Sequence, residues 1–147
     1  MRLQMWHVDS FKSKITKKGH SIILENPEPK EISVGEALLV FISVEKNDPN
    51  NTDAVLDKTS SEIAALLQKI GVTTVVLHPF AHLFAELADA KLSVEILKLL
   101  EQRLNGRNLK VIRTPFGWFN ELEIKAKGHP LSRVSRVINV DKQEQIL

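Results

Sequence analysis

Eight consecutive residues from Ala37 to Val44, A-L-L-V-F-I-S-V, constrain this chain more than any other segment. The run offers no polar face, so as a strand it must be covered on both sides and lie inside a sheet. Strand-like and helix-like stretches alternate around it. Residues 2–8 read as a first strand, and residues 12–16 and 21–24 flank K-K-G-H, which predicts a hairpin turned at Gly19. The two prolines of N-P-E-P-K, residues 26–30, mark a loop. A turn cluster from Asn47 leads into a helix with Val55, Ile63, Leu66, Leu67 and Ile70 on one face, stopping at Gly71. Residues 73–77 are β-branched and strand-like. Residues 92–104 return to helical period and end at Asn105-Gly106. Residues 109–113 and 122–126 are the last clear strands, and residues 131–140 do not declare a type. The sum is one α/β domain without internal repeats.

Composition excludes several chemistries. A chain of 147 residues has room for a single domain with a real core. With no cysteine, disulfides, thiolate zinc sites and cysteine nucleophiles are ruled out. Arg2, Gln4, His7 and Asp9 interrupt any signal-peptide core, and the longest apolar run is too short to span a membrane. A cytosolic (cytoplasmic) domain with no membrane partner is expected. The net charge of +2 is unevenly spread: residues 103–136 hold eight basic and two acidic residues, a local +6, so the remainder sums to −4. Such a basic third suits a phosphate-rich partner, and it equally suits a solvated face.

Two segments carry the chemical interest. L-H-P-F-A-H-L, residues 77–83, and T-P-F-G-W-F-N-E-L-E-I-K-A-K-G-H-P-L, residues 114–131, each begin where a β-like run ends and break into Pro-Phe. Side by side, two such strand ends make a pocket lined with main-chain N–H and C=O groups. His78, His82 and Glu86 are spaced four and four apart, a metal-ligand spacing if they share a helix. Pro79, directly after a β-branched run, argues instead that His78 ends a strand. The chain has no G-x-S-x-G elbow, no phosphate loop and no G-x-G-x-x-G. An enzyme built this way uses water, backbone donors as an oxyanion hole, and a few polar side chains, with His82 placed to orient water or a hydroxyl.

F-I-S-V-E-K (residues 41–46), H-P-F-A-H-L (78–83), P-F-G-W-F (115–119) and K-G-H-P-L (127–131) follow W-H-V-D-S (6–10) and N-P-E-P (26–29) in one order. In that order they resemble the editing domain of archaeal threonyl-tRNA synthetases. The resemblance implies a mixed sheet with packed helices, in the fold of D-aminoacyl-tRNA deacylases, and a homodimer. It implies hydrolysis of serine mischarged onto tRNA(Thr), without a cofactor or metal, and contact between the basic third and tRNA phosphates. D-aminoacyl-tRNA deacylation is the alternative activity on the same fold.

By the same resemblance, Val44 and Ala81 wall the amino-acid pocket, and backbone at Glu45, Pro79 and Phe80 holds the aminoacyl group or water. His82 contacts the substrate near the ester, while Phe116, Gly117, Trp118 and Phe119 shape the floor and the terminal adenosine site. Two positions depart from the family pattern. Phe119-Asn120 stands where Tyr-Lys is common, and Arg133 where a glutamate is common. Water activation by the 2′-hydroxyl of the terminal adenosine tolerates such changes if Asn120 still positions a group by hydrogen bonding. The competing readings are a tRNA-binding module without catalysis and a zinc hydrolase using His78, His82 and Glu86. No synthetase core fits in 147 residues, so a domain excised from a longer synthetase or a freestanding editing protein is expected. The closing Q-E-Q-I-L reads as a helix heading onward.

Overall fold

A computed structural model describes residues 1–140. The helix expected at residues 143–147 lies outside the described residues. The elements run β1 (Arg2–Lys18), β2 (Glu31–Val34), β3 (Ala37–Ser43), α1 (Thr52–Ile70), β4 (Thr74–Pro79), α2 (Ala90–Asn105), β5 (Lys110–Arg113), β6 (Trp118–Ala126) and β7 (Arg133–Val137), with a short 3-10 turn before α1. Together they form the single α/β domain, mixed sheet and packed helices expected.

Strand β1 is the axis. Its first half, Arg2 to Val8, pairs antiparallel with β3, and β7 joins its opposite edge. Its second half pairs with β2 on one edge and β6 on the other. From β3 the sheet continues in parallel to β4 and then β5. Parallel neighbours need a crossover, and α1 and α2 supply the two. The apolar run behaves as its composition requires: all seven residues of β3 are buried. Leu38, Val40 and Ile42 meet the helices through Ile63, Leu67, Leu97 and Leu100. Ala37, Leu39 and Phe41 pack with Val8, Phe11 and Val76 on the other face, under the curled half of the sheet. Each such side chain contributes roughly 1.5–3 kcal/mol by leaving water.

The curl has a visible fastening. The β1–β6 pairing shifts register between Val8 and Ser10, close to where β2 gives way to β3 and β6 to β7. There the Leu131 N–H donates to His129 Nδ1 (3.2 Å), leaving His129 Nε2–H to donate to His7 Nδ1 (2.8 Å). His7 Nε2–H then donates to Glu36 (3.0 Å), while Lys127 reaches both Asp9 and Glu36. The chain of donors and acceptors is complete, so both broken edges are held to the same kink.

The predicted hairpin at Gly19 does not form. Strand β1 runs on to Lys18, residues 21–24 are not a strand, and Lys18 and Lys17 pair with Trp118 and Phe119 of β6. The hairpin signal was local, whereas the partner that satisfies this backbone lies about a hundred residues away. For the same reason β6 begins at Trp118 rather than at residue 122. The undeclared stretch after Pro130 contains β7. Helix α1 ends as expected at Gly71, which takes a left-handed φ of 71°.

Candidate active site at the strand ends

The C-terminal ends of β3, β4 and β5 open on one side of the sheet, the place where ligands sit in open α/β sheets. There Ser43-Val44, Pro79-Phe80-Ala81-His82 and Phe116-Gly117 meet the start of β6 around a pocket of about 530 Å³. The two segments singled out in the sequence are therefore walls of one cavity. Val44, Pro79, Phe80, Ala81 and His82 line one side. Phe116, Gly117, Trp118, Phe119 and Asn120 line the other.

The second wall is fixed by one carboxylate. Glu25 accepts from the Phe116 N–H (3.0 Å) and is paired with Arg113, which also reaches Glu101 (3.2 Å). These contacts hold the Arg113 guanidinium charged above its ordinary range even though burial opposes the charge. The Glu25 C=O accepts from Trp118 Nε1 (2.8 Å), and the Glu25 N–H donates to the Phe116 C=O (3.1 Å). Gly117 stands at φ 94°, where a Cβ would lie 2.6 Å from the Ile23 carbonyl oxygen, so only glycine fits.

The first wall is tied down from three sides. The Lys46 N–H donates to the Glu86 C=O (2.8 Å), the Ala88 N–H to the Val44 C=O (3.0 Å), and Arg2 Nη1 to the Leu83 C=O (3.0 Å). Ser43 Oγ donates to the Phe80 C=O, whose own N–H donates to Ile42 (2.9 Å). By contrast, the N–H groups of Val44, Ala81 and His82 have no main-chain acceptor among the described residues.

Among the described residues, three histidines are the only ionisable side chains lining the pocket, His20, His78 and His82. His78 is buried, pairs through Nδ1 with Thr114 Oγ1 (2.8 Å), and sits edge-on to Phe11 and Phe41. Burial pushes its pKa down to about 4, so at neutral pH it is a neutral packed ring. His82 is exposed on an irregular loop, with its ring edge-on to Phe80 at 5.4 Å. A strand residue and two loop residues do not make a helical comb, and no cluster among the described residues is placed to hold a metal. The zinc reading loses its geometry.

Asn120 keeps a constrained amide. Its Oδ1 accepts from Ser13 Oγ (3.2 Å), and its Nδ2 donates to the Trp118 C=O (3.0 Å). One N–H of the amide is left over. Two predicted residues stand outside the pocket lining. The Glu45 N–H donates to Asp48 (2.7 Å), its C=O accepts from the Asp48 N–H (3.0 Å), and its carboxylate holds the α-amino group of Met1 (3.0 Å). Its main chain is thus already engaged. Arg133, on β7, lies 5.3 Å over the ring of Trp6.

A wall contributed by α2 and the residue two before it went unread in the sequence: Ala88, Ala90, Ser93 and Leu97 also line the pocket. Their signal was the small residues around the helix start, which carry no motif of their own. The basic third also disperses. Arg103 pairs with Asp53 and Asp57, Arg113 with Glu25 and Glu101, Lys127 with Asp9 and Glu36, and Arg136 with Glu62. Half of the eight basic residues are thus charge-paired.

Fold and pocket together define an α/β domain of the D-aminoacyl-tRNA deacylase-like fold, with a cavity at the strand ends. A solved structure described as c-Myc DNA Unwinding Element Binding Protein shares this fold, with a TM-score of 0.67 at 9% identity over 95% of this chain and 100% of that one. A family model described as the archaea-specific editing domain of threonyl-tRNA synthetase matches residues 1–138. Threonine–tRNA ligases of Methanosphaera stadtmanae and Thermococcus kodakarensis are each 37% identical to it over 97% of the chain. That of Methanococcus aeolicus is 34% identical over 99%. The chain spans 23% of the length of each of these ligases. It belongs to the family of archaea-specific threonyl-tRNA synthetase editing domains, which makes aminoacyl-tRNA ester hydrolysis its class of reaction. No helix among the described residues is long and apolar enough to cross a membrane.

Proposed function

We propose that this domain hydrolyses serine from wrongly charged tRNA(Thr), acting in the cytoplasm as a homodimer and as part of the threonylation machinery. The observation that supports the reading is a pocket lined by Val44, Ala81 and His82, whose N–H groups have no main-chain acceptor, with no carboxylate or lysine in the lining among the described residues. Such a site can hold an ester carbonyl as charge builds on its oxygen. It has little with which to activate water itself, so activation falls to the 2′-hydroxyl of the terminal adenosine. Val44 and Ala81 set the width available to the amino-acid side chain, His82 faces the reacting ester, and the spare Asn120 N–H contributes one neutral donor.

Proofreading of this kind answers a definite shortfall. One methyl group separates threonine from serine, and a binding pocket converts that into only about 1–3 kcal/mol of discrimination. A second, hydrolytic site supplies the rest. The test is release of serine from Ser-tRNA(Thr) compared with threonine from Thr-tRNA(Thr), each with and without the terminal 2′-hydroxyl. Fast release of serine alone, lost with the 2′-hydroxyl, is expected. Equal release of both amino acids overturns the assignment of substrate.

The Asn120 amide, engaged by Ser13 and Trp118 where the family commonly has lysine, favours one other reading: a domain that binds tRNA without cleaving the ester. Under that reading Asn120→Lys raises deacylation from background. For an active domain the change is small.

A further inference from the structure

Cations without carboxylate partners stand at the pocket mouth. Strand β1 ends in Lys17 and Lys18, which pair in register with Phe119 and Trp118, and the next residues, Gly19, His20 and Ser21, line the pocket. Lys17 Nζ stands 5.7 Å from the centre of the Phe119 ring, and His20 meets the same ring edge-on at 5.8 Å. Phe119 is 44% exposed, so its ring is open to a partner. Along β1, Lys14 is paired with Glu31, and the ion pairs among the described residues include neither Lys17 nor Lys18. Lys17, without a carboxylate partner, therefore stands against an exposed ring at the rim of a cavity, and Lys18, likewise without one, is the next residue along the strand.

That combination is what single-stranded nucleic acid needs: a flat apolar face for a base and positive charge for its phosphates. We infer that Lys17, Lys18, His20 and Phe119 form a docking rim for the unpaired 3′ nucleotides of tRNA that precede the terminal adenosine. A base stacks on Phe119 beside His20, and the two ammonium groups take the adjoining phosphates. The rim is continuous with the pocket, so it also sets the register in which the aminoacyl end enters. The occupant rests on the proposed function, because an RNA tail must lead into the cavity for the rim to meet it.

The probe is a fluorescent hairpin RNA with a short single-stranded tail ending in C-C-A, compared by anisotropy with the same hairpin trimmed blunt. The Lys17→Ser/Lys18→Ser protein should bind the tailed RNA about tenfold more weakly near 0.1 M salt. The slope of log affinity against log salt should fall by about 1.4, since each phosphate contact on a single strand contributes ~0.7. Phe119→Ala should weaken binding about tenfold with the slope unchanged, because stacking releases no counterions. Lys14→Ser, which removes an already paired cation on the same strand, should bind as the parent does.

An unchanged slope in the double variant, or equal affinity of the parent for tailed and blunt RNA, overturns the rim. Tail-dependent binding without ester hydrolysis supports the rim while sinking the hydrolase reading. Hydrolysis with an unchanged slope does the reverse. All these side chains are exposed, so coincident melting curves should show that the variants remain folded.

Discussion

Acidification should destabilise this domain through one imidazole. Burial holds His78 at about 4 against an ordinary 6.5, so the folded ring stays neutral through a range in which the unfolded ring is protonated. Between those values the unfolded chain binds one more proton, and stability falls as pH falls. Each pH unit inside the window removes up to about 1.4 kcal/mol, which gives roughly 2.5 kcal/mol lost between pH 7.5 and 4.5. For a domain whose total stability is of the order of 5–15 kcal/mol, that loss is large. Two carboxylates bound the range to measure. The Lys127 hydrogen bond holds Asp9 below 3.8, so its share is lost only under more acid conditions. Desolvation raises Asp48 above 3.8, which favours the folded state as the carboxyl protonates, the opposite sense.

The assay is urea unfolding at several pH values from 7.5 to 4.5, for the parent and for His78→Leu combined with Thr114→Val. The second substitution is needed because Thr114 Oγ1 is buried against His78 Nδ1 at 2.8 Å. A hydroxyl left alone there costs about 1–3 kcal/mol at every pH. The double variant should lose the slope and keep the fold. A parent with no slope, or a variant with the same slope, refutes the argument that a buried neutral imidazole sets it.

Three further outcomes follow from the pocket. Gly117→Ala should lower stability by at least about 2 kcal/mol in thermal unfolding, because its Cβ meets the Ile23 carbonyl oxygen at 2.6 Å and its φ is 94°; a parent-like melting curve refutes the clash. Ser13→Ala should reduce single-turnover deacylation about five- to tenfold, the value of one hydrogen bond of roughly 1 kcal/mol to Asn120, while Ser13→Thr restores it. If alanine and threonine behave alike, Ser13 does not orient the amide. Val44→Ala should admit threonine and cut serine-over-threonine selectivity about tenfold, within the 1–3 kcal/mol that a methyl group commands; unchanged selectivity moves the wall elsewhere.

What the sequence revealed and what it hid divide along sequence distance. The A-L-L-V-F-I-S-V run and the Gly71 stop are local statements, and both were legible because periodicity and φ preference act on neighbouring residues. The end of β1 was misread because K-K-G-H carries a turn signal, while the competing partner, Trp118-Phe119, is far along the chain. Charge counting was likewise blind to pairing across the chain. Arg103, Arg113 and Arg136 look like one basic stretch until α1, the loop before β2, and α2 bring Asp53, Glu25, Glu101 and Glu62 against them. The pocket was legible where two strand ends carry Pro-Phe. It was not legible where α2 adds Ala90, Ser93 and Leu97, since small helix residues look the same whether they face a core or a cavity.

The three lining histidines decide where the catalytic proton can go. His78 is neutral, buried and already bonded to Thr114, and a ring titrating at about 4 is a poor base near pH 7. His20 stands at the rim beside Phe119. That leaves His82, whose loop is anchored by Arg2, Lys46 and Ala88, and the RNA's own 2′-hydroxyl. In the proposed reaction the two would act on one proton or on two, and a cycle of four rates separates the cases. His82→Ala and removal of the 2′-hydroxyl are each expected to slow single-turnover hydrolysis of Ser-tRNA(Thr) by about a hundredfold or more. If His82 works by orienting the 2′-hydroxyl, the mutation adds nothing once that hydroxyl is gone, and the doubly altered rate equals the worse single one. If His82 activates water by itself, the two losses multiply. A parent-like rate for His82→Ala with the intact RNA removes His82 from the chemistry and leaves the free N–H groups and the substrate to perform it.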